Sequence, residues 1–414
     1  MADFYLKSRL TMGTNKPPDN SNVQKKFDMS IENLYRRNRR FAGEIRTLIH
    51  KYVERLVKIH GKDFKFKFMN FCGTHEWTTV HYGIRSLLPE NIELVAGPGC
   101  PVCITPSFLV EHAIKLSFED VRVYTFGDAF RLPSVKPVEG AKSLAEAKAS
   151  GGNVAVVYSF LDALKESNDY LKDSVFLAIG FETTAPGYAI PMINSLIPRN
   201  MYLLPALRLT PPAAEYAIME AKKRSMSSIN GIIAPGHVSA ITGAKPWDEL
   251  SRKLEIPTVI SGFEPLDLLL SILELLKMIL KNEVGVKVEY RRVVSWNGNV
   301  ESLNAINTCF EVVDSPWRGI GFIDKSGLEV KDTYSNYDAF KAFSLDKPNR
   351  TSWSDDSLSG CKCTEVILGL AKPIECRFFL KVCNPSKPLG PCMVSSEGTC
   401  SIWARFGGYL SLKS

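Results

Sequence analysis

The chain has 414 residues, 45% of them hydrophobic, and a net charge of +7. That is enough apolar material for two or three packed domains, which excludes a disordered chain or a small disulfide-stapled module. The positive charge is dispersed, with no basic run interleaved with aromatics, which argues against nucleic acid as the main partner.

Residues 1–28 are polar, carry Pro and Asn, and show no period, so they are expected to form a mobile extension. They lack the apolar stretch of a secretory signal. From 31 to 60, Ile45, Leu48, Ile49, Tyr52, Val53, Leu56 and Ile59 recur at three- and four-residue steps, predicting one amphipathic helix. Eight short apolar runs follow, separated by helix-length segments: "FKFKFMNF", "IELVAG", "VRVYTFG", "VAVVYS", "VFLAIG", "MYLLPAL", "INGIIAPG" and "IPTVISG". This alternation predicts parallel α/β sheets. "LDLLLSILELLKMIL" (266–280) is too short to span a bilayer and carries charges, so it reads as a buried helix. A soluble, cytoplasmic protein without a membrane partner is expected. Beyond 285 the pattern shifts to short strands and turns.

The predicted architecture is α/β, with two similarly built parallel-sheet domains around a cleft and a smaller C-terminal Cys-rich domain. The expected boundaries are 29–150, 151–285 and 286–414. The pairing of "GPGCPVCIT" with "APGHVSAIT", each after an apolar strand, suggests duplication. Only the first copy keeps its thiols: Cys100 aligns with His237 and Cys103 with Ala240.

Ten cysteines in such a chain point to metal or redox chemistry. In "LVAGPGCPVCITP" a strand delivers Cys100 and Cys103 into a loop before a helix. Thr105 reads as the N-cap of that helix and Pro106 as its first residue. Thiols at the carboxyl end of a strand, ahead of a helix N-terminus, are placed where thiolates are favoured and ligands bind. The pair suits a zinc half-site, a redox dithiol or an iron-holding site. "FCGTHEWT" repeats the arrangement with Cys72, His75 and Glu76; three thiols sharing one cleft suit Fe(II) or Zn(II). "GFETTAPGY" and "PGHVSAITG" offer Glu182, Thr183, Thr184 and His237 for the opposite wall, or merely capped turns. Cys361, Cys363, Cys376, Cys383, Cys392 and Cys400 fall within the last stretch. Four of them would complete a Cys₄ site for [4Fe–4S] or zinc, and their scattered spacing favours the cluster. Spacing alone does not choose which four. Cys309, in "NTCFEVV", alternates with apolar residues and reads as a core thiol on a strand. Neither a Walker loop nor a C-x3-C-x2-C triplet is present.

Taken together, "CGTHE", "GPGCPVCITP", "FGD", "VVYSFLDAL", "GFETTAP", "PGHVSAITG", "GFEPLD", "WRGIG" and "GPCMVSSEGTC" resemble the HypD family of hydrogenase maturation proteins over roughly residues 40 to 410. The resemblance implies a scaffold with redox activity that builds the Fe(CN)₂CO unit of [NiFe] hydrogenases, rather than a stand-alone metabolic enzyme. Its cluster signature C-x14-C-x6-C-x16-C falls on Cys361, Cys376, Cys383 and Cys400. That leaves Cys363 and Cys392 as a redox pair, similar to the arrangement in ferredoxin:thioredoxin reductases. Cys72, Cys100 and Cys103 match the family's essential thiols, with Cys72 holding the iron that carries CN and CO. The partners implied are a HypC-type small chaperone, a HypE-type cyanide donor with HypF upstream, and indirectly the hydrogenase large subunit. The chain departs from the family in its 1–28 extension and in "LLPALRL", which lacks a histidine often found there. The rival expectation is a stand-alone iron–sulfur thiol–disulfide oxidoreductase; a zinc-stabilised binding protein ranks third.

Overall fold

The computed structural model describes residues 38–224, 228–354 and 356–408. The 1–28 extension lies outside them, as does the start of the helix expected from residue 31. All eight apolar runs form strands: β1 (Phe66–Asn70), β2 (Ile92–Ala96), β3 (Arg122–Phe126), β4 (Val154–Val157), β5 (Ser174–Gly180), β6 (Met201–Arg208), β7 (Gly231–Pro235) and β8 (Thr258–Ser261). Three shorter or later strands follow: β9 (Val286–Val288), β10 (Phe310–Trp317) and β11 (Gly321–Val330).

The strands assort into two sheets in an order that sequence position alone does not suggest. One sheet runs β2-β1-β7-β8-β9, and its pairs are all parallel. The other runs β10-β11-β6-β5-β3-β4, parallel from β6 to β4 and antiparallel where β11 joins. β7–β9 thus return to the first sheet, and β3 leaves it for the second. The boundaries expected at 150 and 285 cut across both sheets, and residues Arg39–Ser414 cluster as one compact unit. The physical reason is that the parallel strands β1 to β8 are largely buried and read as similar apolar runs, so nothing local in them specifies a neighbour.

Seven helices position the site: α1 (Arg39–His60), α2 (Gly73–His81), α3 (Ser107–Phe118), α4 (Pro265–Leu280), α5 (Val300–Cys309), α6 (Cys363–Ile367) and α7 (Thr399–Phe406). α1 buries Ile45, Ile49, Val53 and Leu56 and packs on α4, the buried helix expected from its Leu-rich run. No helix among the described residues is long and apolar enough to cross a membrane. Cys309 is a core thiol, fully buried, but it closes α5 instead of lying on a strand. Its alternating apolar neighbours belong to β10, which starts one residue later.

The first turn of α3 also differs from expectation. Pro106 is the N-cap and Ser107 the first helical residue. The first-turn amide of Ser107, which has no partner within the helix, donates to the carboxylate of Asp356, 249 residues away, at 2.9 Å. The Thr105 hydroxyl instead turns back to the Pro101 carbonyl at 2.9 Å.

Candidate functional site: a crevice lined by cysteines

β1 and β2 are adjacent and parallel, so the loops that leave their carboxyl ends emerge side by side. Cys72 is the N-cap of α2, in an extended conformation (φ −145°, ψ 130°). The amide of Gly73 donates to the Gly99 carbonyl at 3.1 Å, tying the loop of Cys72 to that of Cys100 and Cys103. Gly99 is required by proximity: a Cβ there would lie 2.4 Å from the Phe71 carbonyl carbon and 2.5 Å from the Cys72 nitrogen. Cys100 and Cys103 are joined as a disulfide, with their Cα atoms 5.4 Å apart. In that state neither sulfur is available as a thiolate ligand.

These residues line one small cavity of about 10 Å³, together with Asn70, Glu76, Ile367, Thr399, Glu397 and Cys392. It holds no more than about one water. Cys72 is half-buried at its edge. Burial pushes the Cys72 thiol up to about 11; the Glu397 carboxylate adds to this, and the His75 and Thr74 amides only partly oppose it. A metal cation arriving at Cys72 would therefore displace a proton.

His75 is fully buried and does not share this cavity's lining. Its Nε2 lies 2.9 Å from the Gly262 carbonyl, which places the proton on that nitrogen, and Nδ1 is buried without a partner. Burial pulls its pKa down to about 4, so the ring is neutral at physiological pH. Phe263 stacks between it and the exposed His237, at ring-centroid distances of 4.9 and 3.7 Å.

Glu76 is buried as a structural tie. Its oxygens accept from Arg85 at 2.9 and 3.0 Å and from the Trp403 indole at 2.6 Å. α7 is thereby fastened to α2.

Glu182, just beyond β5, binds the amide and hydroxyl of Thr210 at 2.7 and 2.8 Å. Burial raises its pKa to about 7. Thr184 packs against Gly180, and Thr183 is exposed. None of Glu182, Thr183, Thr184 and His237 lines the cavity around Cys72. Their neighbours Phe181 and Val238 do pack in the same apolar cluster as Cys100 and Cys103.

The six late cysteines divide by environment. Cys376 and Cys383 are buried with Val80, Phe379, Met393, Ile402 and Trp403, and Cys361 and Cys400 pack against that group. Cys363 and Cys392 are buried instead in the apolar cluster of Cys100 and Cys103. The Cys400 amide donates to the Cys392 sulfur at 3.2 Å, and the thiols of Cys361, Cys363, Cys392 and Cys400 perturb one another's ionisation. The donor chemistry of Cys361, Cys376, Cys383 and Cys400 fits a [4Fe–4S] cluster: four soft donors in or against one apolar cluster. The Leu389 amide donates to the Cys383 sulfur at 3.4 Å. Gly390 keeps this region open, since a Cβ there would lie 3.2 Å from the Cys361 sulfur. Among the described residues, no three His, Cys, Asp or Glu side chains form a group that could hold a metal ion as they stand.

Three residues that support this site escaped the reading of the sequence, although "FGD", "WRGIG" and the acidic stretch before Cys361 contain them. Asp128 accepts from the Ser396 amide and hydroxyl at 3.2 and 2.7 Å, clamping the loop before Cys400. Asp356 accepts from the amides of Ser107 and Gly319. Arg318 is buried beside Cys103, Cys361 and Cys363.

This parallel-sheet α/β scaffold gathers nine of its ten cysteines into one crevice and the two apolar clusters beside it. Residues 47–407 match the family model HypD, described as the hydrogenase formation hypA family. The chain is 38% identical over 364 residues to a putative hydrogenase expression/formation protein of Methanocaldococcus jannaschii, covering 87% of this chain and 98% of that one. It is 36% identical to the hydrogenase maturation factors HypD of Cupriavidus necator, over 352 residues, and of Azotobacter vinelandii, over 351 residues. Both alignments cover 83% of this chain and 90% of the relative. The chain belongs to the HypD family of hydrogenase maturation factors.

Proposed function

We propose that the chain is the scaffold on which the Fe(CN)₂CO unit of [NiFe] hydrogenases is assembled. The observation that carries this reading is the shared lining of one cavity by Cys72, the Cys100–Cys103 disulfide and Cys392. Since that cavity is too small for an iron with three diatomic ligands, the cargo sits at its mouth on Cys72. A HypC-type small chaperone covers it there and contributes a second thiolate. Cyanide comes from a HypE-type donor supplied by HypF, and the finished unit passes on toward a hydrogenase large subunit.

Cys361, Cys376, Cys383 and Cys400 would hold the [4Fe–4S] cluster, which when bound supplies a store for single electrons. Cys363 and Cys392 act as a dithiol toward the Cys100–Cys103 disulfide. The Cys392 thiolate attacks one sulfur of that bond; the bond breaks, a mixed disulfide forms, and the released sulfur takes up a proton. The Cys363 thiolate then attacks Cys392, leaving a Cys363–Cys392 disulfide and two free thiols at Cys100 and Cys103. Two electrons and two protons have moved toward Cys72.

The test is infrared spectroscopy of the chain purified anaerobically with its small chaperone, native against Cys72→Ala. The native complex is expected to show C≡N and C≡O stretching bands, and the variant to lack them. Bands unchanged in the variant place the iron elsewhere. Bands absent from every native complex, with dithiol turnover by the chain alone, favour the stand-alone oxidoreductase.

A further inference from the structure

β10 and β11 form an antiparallel hairpin whose tip, Arg318-Gly319-Ile320, reaches between the loop of Cys103 and the helix of Cys363. On one side the Arg318 amide donates to the Ile104 carbonyl at 2.9 Å, one residue after Cys103. On the other, Gly319 lies so close to α6 that a Cβ would come within 2.2 Å of the Thr364 hydroxyl oxygen. Asp356 fixes the tip by accepting from the Gly319 amide at 2.7 Å.

This placement buries a guanidinium, 5% exposed, in the wall of a cavity of about 20 Å³ that it shares with Cys103, Cys361 and Cys363. One terminal nitrogen donates to the Pro133 carbonyl at 2.6 Å, while Nε is buried with no hydrogen-bond partner. The anionic and thiol groups acting on it are Asp356, then Cys363, Glu111 and Cys361. Asp356 already accepts two amide hydrogen bonds and offsets the charge only in part. A desolvated cation without a bidentate partner is costly where it sits. A strut for the Pro133 carbonyl would not require a charge.

We propose that Arg318 is an electrostatic positioning residue that raises the reduction potential of the cluster held by Cys361, Cys376, Cys383 and Cys400. The proposal rests on the cluster reading above. Each electron entering the cluster adds a negative charge to a group whose Cys361 ligand shares a cavity wall with Arg318. A fixed positive charge in a low-dielectric interior stabilises that reduced form. Asp356 acts in the opposite sense and trims the effect.

The experiment is a potentiometric titration of the full chain, purified anaerobically with its cluster and followed by visible absorption and electron paramagnetic resonance. Arg318→Gln is expected to lower the equilibrium constant for reduction about tenfold, about 59 mV for one electron. Arg318→Lys keeps the charge and is expected to stay near the native midpoint, although both variants lose the fork's packing and melt earlier. Asp356→Asn is expected to move the midpoint the other way and gives an independent reading should Arg318→Gln fail to fold. A loaded Arg318→Gln chain with the native midpoint overturns the proposal alone, as does an Arg318→Lys shift equal to that of Arg318→Gln. A native chain without iron–sulfur absorption overturns the cluster reading and the proposal with it.

Discussion

Gly99→Ala is expected to destabilise the chain by roughly 1–3 kcal/mol and to separate Cys72 from the Cys100–Cys103 disulfide. The added methyl would lie 2.4–2.6 Å from three backbone atoms of Phe71 and Cys72. Backbone has no rotamer to change, so one of the two loops must move away. The Gly73–Gly99 hydrogen bond that ties them would lengthen or break. Gly187→Ala is the control, because its Cβ meets nothing within 4 Å and the site is helical. There alanine should be neutral or stabilising by up to about 1 kcal/mol. Urea denaturation of both variants gives the stability, and the rate of Cys72 alkylation reports whether the crevice has opened. Equal stability and equal alkylation in the two would show that the loops do not need their close approach.

Glu76→Ala should cost more, about 3–5 kcal/mol. It strands the Trp403 indole N–H inside the protein and removes the counter-charge of Arg85, whose guanidinium also lies 5.3 Å over the Trp403 ring. Arg85 is partly exposed and recovers some of its loss in water, which keeps the figure toward the lower end. Glu76→Gln retains an oxygen for Trp403 and is expected to lose only about half as much. Thermal unfolding of both variants measures this. A catalytic Glu76 would behave differently: Glu76→Gln would then fold as the native chain does and lose activity outright. Glu76, a candidate catalytic group read from its neighbours Cys72 and His75, lines the cavity of Cys72 and also holds the Cys-rich segment against α2.

Elements with strong local signals were legible. Each of the eight apolar runs became a strand, because a strand buried on both faces must be apolar throughout. The loops of Cys72 and of Cys100 and Cys103 stand where strand, glycine and helix start placed them, at one sheet edge. The assignment of β3 and β7 to different sheets was not legible, since it depends on pairing partners more than 30 residues apart. The same holds for the α3 amide satisfied by Asp356, and for Arg318, whose meaning comes from the cysteines its hairpin reaches. His75 carries a related lesson. Its motif suggested a ligand or base beside Cys72, yet its ring faces the Gly262 carbonyl and Phe263 in the loop that follows β8.

The central proposed step brings the sulfur of Cys392 to the Cys100–Cys103 disulfide. Cys363→Ser tests this most directly, because it removes the thiol that would resolve the mixed disulfide. Acid-quenched, alkylated and digested protein should yield a peptide pair joining Cys392 to Cys100 or Cys103. A Cys363→Ser chain in which Cys392 remains fully alkylated and the Cys100–Cys103 bond intact would contradict the account.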